Sequence, residues 1–158
     1  MAAQTGNKNL VQLLLTKGAD ASRRNQGGQT PLGAAMFSNS TFADVYDIAA
    51  LLLQNGADPT VTYNGQSLLS GVIQSGNETA PDLAKLLLGT KKIDVNVHSQ
   101  RGTYLIEAIN AGKQDLVQIL LDAGADPNDA TDDGTPLAIA KQGDNQAIVA
   151  MLIAKGAK

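Results

Sequence analysis

The triplet Gly-Ala-Asp recurs along the chain and constrains its fold more than any other feature. Complete copies stand at Gly18-Ala19-Asp20, Gly56-Ala57-Asp58 and Gly124-Ala125-Asp126, and Gly156-Ala157 repeats the first two residues. Gly18 and Gly56 are 38 positions apart, and Gly124 and Gly156 are 32 apart. Units that recur at periods of this size stack into arrays, in which each unit contacts its neighbours. The sequence therefore predicts a single domain of stacked repeats.

An apolar run precedes each copy of the triplet. The runs are Leu13-Leu14-Leu15, Leu51-Leu52-Leu53, Ile119-Leu120-Leu121 and Met151-Leu152-Ile153, and a fifth, Leu86-Leu87-Leu88, leads to the altered copy Lys92-Ile93-Asp94. The glycine that follows each run is the residue that adopts the left-handed conformation past a helix end at the least cost. Each triplet therefore marks the end of a helix.

A second pattern, a hydroxyl residue two positions before a leucine, marks where another helix begins. Thr30-Pro31-Leu32 and Thr135-Pro136-Leu137 are complete copies, whereas Ser67-Leu68-Leu69 and Thr103-Tyr104-Leu105 lack the proline. The hydroxyl oxygen can accept a hydrogen bond from an N–H of the first turn, and proline fits where no N–H is needed. Residues 25–29 and 62–66, which precede two of these patterns, are polar and contain glycine, as hairpin-like turns do. One repeat is thus a turn followed by two helices.

These motifs together resemble the ankyrin repeat, with its Thr-Pro-Leu opening and its closing Leu-Leu-Leu-x-x-Gly-Ala-Asp. The resemblance implies an all-α solenoid of helix–turn–helix units with projecting β-turn loops. It divides the chain into a partial repeat at about residues 2–23 and four complete repeats at 24–60, 61–97, 98–130 and 131–158. The histidine that the family often has after Thr-Pro-Leu is replaced here by Gly33, Ser70, Ile106 and Ala138. The missing histidine calls the stability of the local turns into question, but it does not affect the expected fold.

The first repeat lacks its opening turn and its Thr-Pro start. We therefore expect that the sequence was trimmed, or that a signal peptide once preceded Ala2. If a signal peptide was removed, the protein is exported, for example to a bacterial periplasm. If the sequence was only trimmed, the protein can equally be cytoplasmic. The chain has no cysteine, so the redox compartment stays open.

Two repeats contain insertions between their paired helices. Measured from the leucine of the opening pattern to the end of the apolar run, the third and fourth complete repeats span 16 positions, while the first spans 21 and the second 19. The extra residues fall around residues 38–44 and 75–81. Because adjacent repeats place equivalent segments side by side, the insertions are predicted to form one protrusion or a lengthened helix edge. The alternative is a tolerated surface loop.

The five aromatic residues are placed unevenly along the chain. Phe37, Phe42 and Tyr46 lie in or beside the first insertion, Tyr63 lies on a turn, and Tyr104 replaces a proline. Large aromatic side chains are frequent anchors of protein interfaces. We therefore predict that Phe37, Phe42 and Tyr63 contribute to a binding surface; the alternative is that the two phenylalanines pack the insertion onto its own helices.

Proteins of the ankyrin family bind partners along the concave surface that their turn tips and first helices form. Carried over by position, and with Phe42 added for its place in the insertion, the resemblance implies a partner-binding set: Arg24, Asn25, Gln26, Phe37, Ser38, Phe42, Tyr63, Asn64, Gln74, Ser75, Arg101 and Asn110. The partner is expected to be another protein, and the free chain is expected to be a monomer.

Other classes of function receive little support from the sequence. The net charge is −3 and the basic residues are scattered, which argues against nucleic acid as a partner. No apolar stretch is long enough for a membrane span. His98, the only histidine, has no Ser or Asp partner within its repeat, so we predict an exposed turn histidine and not a catalytic base. We predict no enzyme activity, no metal site and no cofactor.

Two functions therefore follow from the sequence. The first is a protein–protein interaction module that holds a partner through its concave face, turn tips and insertions. The second is a dedicated inhibitor or immunity protein that blocks the active site of a cognate enzyme, with the insertions covering the cleft. The first leaves the partner active, and the second abolishes its activity at a stoichiometric ratio.

Overall fold

The structure is a computed structural model that describes residues 2–37, 42–76, 78–99 and 101–158. Nine α-helices and one two-stranded hairpin lie within these residues, and every helix pair falls inside one of the predicted repeats. The contacts group the chain into two compact units. Unit 1 comprises Met1–Val72 and Asn77–Lys92, and unit 2 comprises Ile73–Gly76 and Ile93–Lys158. The helical repeat architecture predicted from the sequence is confirmed.

Unit 1 contains the first part of the array. Its elements are α1 (Lys8–Thr16), α2 (Pro31–Met36), α3 (Phe42–Gln54), strands β1 (Thr62–Tyr63) and β2 (Gln66–Ser67), most of α4 (Leu68–Gln74), and α5 (Ala80–Gly89). Helix α3 packs against α1, α2 and α5. Its side chains Ile48 and Leu52 are buried together with Leu32, Leu69 and Leu87, which form the core of the unit. The apolar runs predicted to be helical thus supply the stacking surface.

Unit 2 repeats the same arrangement with shorter connections. Helices α6 (Tyr104–Asn110) and α7 (Gln114–Asp122) form one pair, and α8 (Pro136–Gln142) and α9 (Gln146–Ala154) form the next. First helix packs on first helix, α6 on α8, and second on second, α7 on α9. Leu105, Leu116, Leu120 and Ile148 are buried between them.

The hydroxyl residues of the opening pattern cap the first helices as predicted. Thr30, Thr103 and Thr135 adopt extended backbone conformations, and each side chain accepts a hydrogen bond from the N–H three residues later. Ser67 does the same for Ser70 at 3.1 Å, although proline is missing from that copy. An N-cap hydroxyl satisfies an N–H that has no partner within the helix. These short local bonds fix where each first helix begins.

The glycine of each triplet ends the second helix in the conformation predicted for it. Gly56 has a φ of 89° and Gly124 a φ of 98°. In the same copies the N–H groups of Ala57 and Ala125 donate back to Leu52 and Leu120, five residues earlier. This pattern turns the chain away from the helix axis.

The turn of the second complete repeat is a tight hairpin. β1 and β2 are antiparallel, with Tyr63 paired to Gln66, and only Asn64 and Gly65 connect them. Both connecting residues have positive φ, 52° and 76°, as a type I′ turn requires. The corresponding turns of unit 2 are narrower and consist of single bridges, Ser99 to Gly102 and Thr131 to Gly134. The prediction of projecting hairpin-like turns is confirmed.

Asparagine side chains join successive repeats in unit 2, which the sequence did not indicate. Asn96 donates from its amide to the carbonyl of Gly124 at 3.2 Å and accepts from the N–H of Asp126 at 2.9 Å. Asn128 makes the equivalent pair of bonds to Gly156 and Lys158. Each amide thereby pairs a carbonyl and an N–H of the next repeat, which are otherwise left to water.

The two insertions are described in part. Helix α3 has 13 residues, whereas its counterparts α1, α7 and α9 have 9. Part of the first insertion therefore lengthens a helix, one of the two forms that were predicted. The prediction of one joint protrusion falls partly on residues 38–41 and 77, which lie outside the described residues.

The altered copy of the triplet suggests a test of the helix ends. Lys91, the residue just before the altered copy Lys92-Ile93-Asp94, has a φ of 58°, in the left-handed region that the other copies give to glycine. The structure therefore places the counterpart of that glycine at Lys91 and not at Lys92. A side chain in this region strains the backbone by roughly 1–2 kcal/mol. Glycine relieves the strain, but it loses more backbone entropy on folding, which offsets part of the gain. We expect Lys91→Gly to raise the free energy of unfolding in urea by about 0.5–1 kcal/mol. The matched variant Lys92→Gly, one residue outside the left-handed position, is expected to lower it. A loss of stability in Lys91→Gly would contradict this account.

Candidate functional site

The turn before α2 presents three of the residues predicted to bind a partner. Arg24, Asn25 and Gln26 are all exposed. The guanidinium of Arg24 donates to the carbonyl of Gly28 at 2.6 Å, and the side-chain oxygen of Asn25 accepts from the N–H of Gln29 at 2.9 Å. The turn is therefore held by its own side chains. Gln26 is left at the tip as an exposed amide.

Phe37 and Tyr63, two of the predicted aromatic residues, are brought together in unit 1. Phe37 follows the last residue of α2, and Tyr63 lies in β1. Their ring centroids are 6.0 Å apart with planes tilted by 38°, and both side chains are half-buried. Tilted rings at this distance attract each other beyond the effect of area burial. The two residues, 26 positions apart in sequence, form one aromatic surface that we call the aromatic pair.

Gly71 makes room for the aromatic pair. It lies in α4, and a Cβ placed on it would stand 2.5 Å from Cε1 and 2.9 Å from Cζ of Phe37. No real Cβ sits that close to a carbon atom. The Phe37 ring therefore lies directly on the α4 backbone, and the absent side chain of Gly71 decides where the ring rests.

The other predicted residues of unit 1 have different outcomes. Asn64 is exposed at the hairpin tip. Ser38 lies outside the described residues. Phe42 begins α3, and its side chain lies outside what the structure describes. The hypothesis that Ser38 and Phe42 bind a partner therefore stays a prediction.

Unit 2 holds the remaining four predicted residues. Gln74 is exposed and donates from Nε2 to Oε2 of Glu107 at 3.3 Å. Ser75 is half-buried, and Asn110 is exposed at the end of α6. Arg101 is exposed, and its backbone N–H donates to the hydroxyl of Ser99 at 3.1 Å. Gln74 is thus joined to a buried acidic group, while Arg101 and Asn110 present side chains to solvent.

Two residues with evident roles were missed at the level of sequence. Gly71 is one, and the signal for it was a glycine in a stretch that had to be helical. Glu107 is the other, since only 2% of it is exposed. Its signal was a carboxylate within the apolar stretch of residues 104–109. A buried charge is rare unless it is paired or hydrogen-bonded, so its presence calls for a reason.

His98 joins two neighbouring turns. Its Nε2 lies 2.9 Å from Oδ2 and 3.0 Å from Oδ1 of Asp129, near the end of the same repeat, 98–130. The prediction that His98 has no Asp partner within its repeat is therefore wrong. The histidine side chain is 51% exposed. This pair holds one turn to the next. In the described part of the chain, no three His, Cys, Asp or Glu residues are grouped as metal ligands.

Asp58 carries a perturbed carboxyl group at the end of the first complete repeat. The hydroxyl of Thr60 donates to Oδ1 of Asp58 at 2.7 Å, and the N–H of Thr60 donates to the same oxygen at 2.9 Å. The two bonds lower the pKa of Asp58 below its ordinary value, and the positive charges of Lys92 and Arg24 lower it further. The ionised form of Asp58 therefore stabilises this turn.

Comparison with known proteins identifies the family to which this repeat architecture belongs. A family model described as ankyrin repeats in three copies matches residues 1–63 and 69–158. The chain belongs to the ankyrin-repeat family. Ankyrin repeats generally mediate contacts between proteins and are typically not enzymes. The resemblance drawn from the recurring motifs is confirmed.

One relative shares part of the array. An ADP-ribosylation factor GTPase-activating protein of Arabidopsis thaliana, AGD2, is 37% identical over 89 residues, which cover 55% of this ankyrin-repeat chain. The same stretch covers 11% of that protein, so the chain matches about a tenth of the relative's length.

Among the described residues, no helix of this ankyrin-repeat chain is both long and apolar enough to pass through a bilayer.

The contact between Phe37 and Gly71 predicts an unusual response to mutation. In a helix, Gly→Ala normally adds about 0.5–1 kcal/mol of stability. Here the new Cβ displaces the Phe37 ring, so we expect Gly71→Ala to lower the free energy of unfolding by about 1 kcal/mol. In a Phe37→Ala background the same change is expected to stabilise, because the obstructing ring is gone. Urea unfolding of the four proteins measures the reversal; equal effects in both backgrounds would refute the contact.

The Asp58 carboxyl predicts a pH dependence. Because its folded pKa lies below that of the unfolded chain, about 3.9, the ionised group stabilises the fold above that pH. The contribution is lost as the pH falls through the folded pKa. We expect Thr60→Val to raise the pKa of Asp58 toward its ordinary value and to reduce the loss of stability on acidification below about pH 4. An NMR titration of the Asp58 carboxyl measures the shift, and an unchanged pKa in Thr60→Val would contradict it.

Proposed function

We propose that this ankyrin-repeat chain is a protein-binding module that holds its partner through the first helices and the turns before them. The aromatic pair of unit 1 is the anchor of this surface. The observation that carries the proposal is that Phe37 and Tyr63, far apart in sequence, meet with both side chains half-buried, and that the Phe37 ring lies on α4. Family membership supports the general function, and the contact between the two rings supports the proposed location of the binding surface.

The aromatic pair has the physical properties of an interface anchor. Aromatic side chains bring a large contact area with few rotatable bonds, so little conformational entropy is lost on binding. Gly71 fixes the position of the Phe37 ring before any partner arrives, and the hairpin through Asn64 and Gly65 fixes Tyr63. A surface ordered in advance binds more tightly than one that must be ordered by its partner.

The turns extend the surface with polar groups. Arg24 and Asn25 use side-chain atoms to hold the turn before α2, while Gln26 and Asn64 are exposed at turn tips. Polar groups around an apolar centre are the usual arrangement of a protein interface. The predicted residues of unit 1 therefore fit one interface with an aromatic centre and a polar rim.

The similarity to the GTPase-activating protein supports the binding function and no more. The shared stretch is a tenth of that protein, so we carry over no GTPase-activating activity and propose a chain without enzyme activity. The inhibitor hypothesis, in which the chain blocks the active site of an enzyme, stays a prediction. The comparisons lend it no support, and its insertions fall partly outside the described residues.

The test removes the aromatic pair and leaves the fold. Partner proteins are captured on the immobilised chain, identified, purified and titrated against variants. We expect Phe37→Ala and Tyr63→Ala each to raise the Kd by at least about tenfold, as the loss of an anchor residue does. Tyr46→Ala is the matched control, because Tyr46 is an exposed aromatic residue on α3, a second helix, whereas the proposed surface consists of first helices and turns. Equal affinity in all three variants would sink the proposal.

A further inference from the structure

Two leucines of α1 are exposed although their counterparts in every complete repeat are buried. Leu10 is 40% exposed and Leu14 is 44% exposed. Aligned on the end of each second helix, the counterparts of Leu14 and of Leu10 are at most 4% exposed: Leu52, Leu87, Leu120 and Leu152, and Ile48, Leu83, Leu116 and Ile148. The complete repeats thus cover these two places, and the first repeat leaves them open.

Unit 2 shows which element packs on a second helix. Helix α6 packs on α7, the second helix of its own repeat, and on α8, the next first helix. Leu105 of α6 and Leu116 and Leu120 of α7 are all buried. The second residue of a first helix is leucine in each of the other complete repeats as well: Leu32, Leu69 and Leu137. A short helix that carries a leucine is therefore the natural cover of such a surface.

The first repeat has only the end of such a helix among its described residues. Residues 2–6 form a turn, in which the N–H of Asn7 donates to the carbonyl of Ala2 at 3.3 Å. Gly6 ends this turn with a φ of 70°, as Gly112 does after α6 with a φ of 65°. Within the described part of the chain, the first turn of α6 therefore has no counterpart beside α1.

A cavity of about 320 Å³ lies in unit 1 at this place, and we call it the α1 cavity. Its lining includes Val11, Leu14 and Leu15 of α1, Pro31 at the start of α2, and Leu52 of α3. It therefore adjoins a second helix and the next first helix, the two kinds of element that α6 contacts in unit 2. Ligand sites have volumes of about 300–1,000 Å³, so this cavity suits a few side chains from one face of a helix.

The exposed part of the lining carries more positive than negative charge. Arg23 and Arg24 line the α1 cavity together with one acidic residue, Asp20, and all three are exposed. The carboxylate of Asp20 accepts a hydrogen bond from the N–H of Ser22 at 2.8 Å. An acidic side chain is therefore favoured on whatever enters the cavity. Exposed ion pairs of this kind orient a ligand and speed its association more than they add affinity.

We propose that the α1 cavity receives a short amphipathic helix of another protein, which takes the place that the first turn of α6 takes in unit 2. A leucine of that helix packs against Leu14 and Pro31, and an acidic residue of it faces Arg23. Helices that bind in grooves do so through apolar residues three or four positions apart. The α1 cavity shares no residue with the aromatic pair, so the inference goes beyond the proposed function.

The test selects helical peptides that need Leu14. A phage-displayed library of random peptides of about 14 residues, a length at which isolated helices begin to form, is first depleted on the Leu14→Gln chain. It is then selected on the unchanged chain. We expect the selected peptides to carry aliphatic residues three or four positions apart and an acidic residue, and to gain helical circular dichroism on binding.

Two leucines of α1 supply a matched comparison. Leu14→Gln is expected to raise the Kd of the best peptide by at least about tenfold, as the loss of an anchor contact does. Leu13 is 52% exposed and is not part of the cavity lining, so Leu13→Gln is expected to leave that Kd unchanged. Arg23→Gln is expected to slow association at low salt and to leave dissociation almost unchanged. Thermal unfolding confirms that each variant is folded.

The outcomes separate this inference from the proposed function. A library that yields no peptide after depletion overturns the inference, as do peptides without the helical spacing or with equal losses in Leu13→Gln and Leu14→Gln. Self-association of the chain that Leu14→Gln abolishes would identify a second copy as the occupant and would also overturn it. Phe37→Ala is expected to leave the Kd of the selected peptides unchanged. Partners that require Phe37 and ignore Leu14→Gln keep the proposed function whatever the peptides show.

Discussion

The stacking of apolar helix faces is the interaction on which the rest of the structure depends. A single turn–helix–helix unit leaves one side of its leucines in water, and only the next unit covers it. In unit 2, α6 packs on α8 and α7 on α9, so the buried leucines are shared between repeats and not enclosed by either. The caps, turns and hairpins make this packing between repeats possible, because they set the length and direction of each stacked helix.

Much of the fold was predictable because its determinants are local. Thr30 caps the helix that begins at the next residue, Gly56 ends the helix just before it, and Asn64 and Gly65 form a turn between adjacent strands. Each of these depends on atoms within about five residues, so a recurring short pattern carries the information. Counting residues between two such patterns also located the first insertion, although it did not say that part of the insertion would lengthen α3.

The candidate site was less predictable because its contacts join different repeats. The sequence marked Phe37 and Tyr63 as unusual, but it gave no sign that their rings meet, nor that Gly71 receives one of them. Gln74 and Glu107 are 33 positions apart. Such pairings depend on how one first helix lies against the next, which a single sequence does not state. Only the type of surface, polar turns around a few aromatics, followed from the sequence itself.

The amide bridges of unit 2 have a consequence for how such chains change over evolutionary time. Asn96 and Asn128 each bond to backbone atoms of the following repeat, and backbone atoms are present whatever the side chains are. A repeat that ends in this asparagine therefore brings its own connector to any successor with the same turn. Duplication or deletion of a unit that carries this asparagine leaves its junction chemically complete, so the number of such units can change while their binding residues diversify independently.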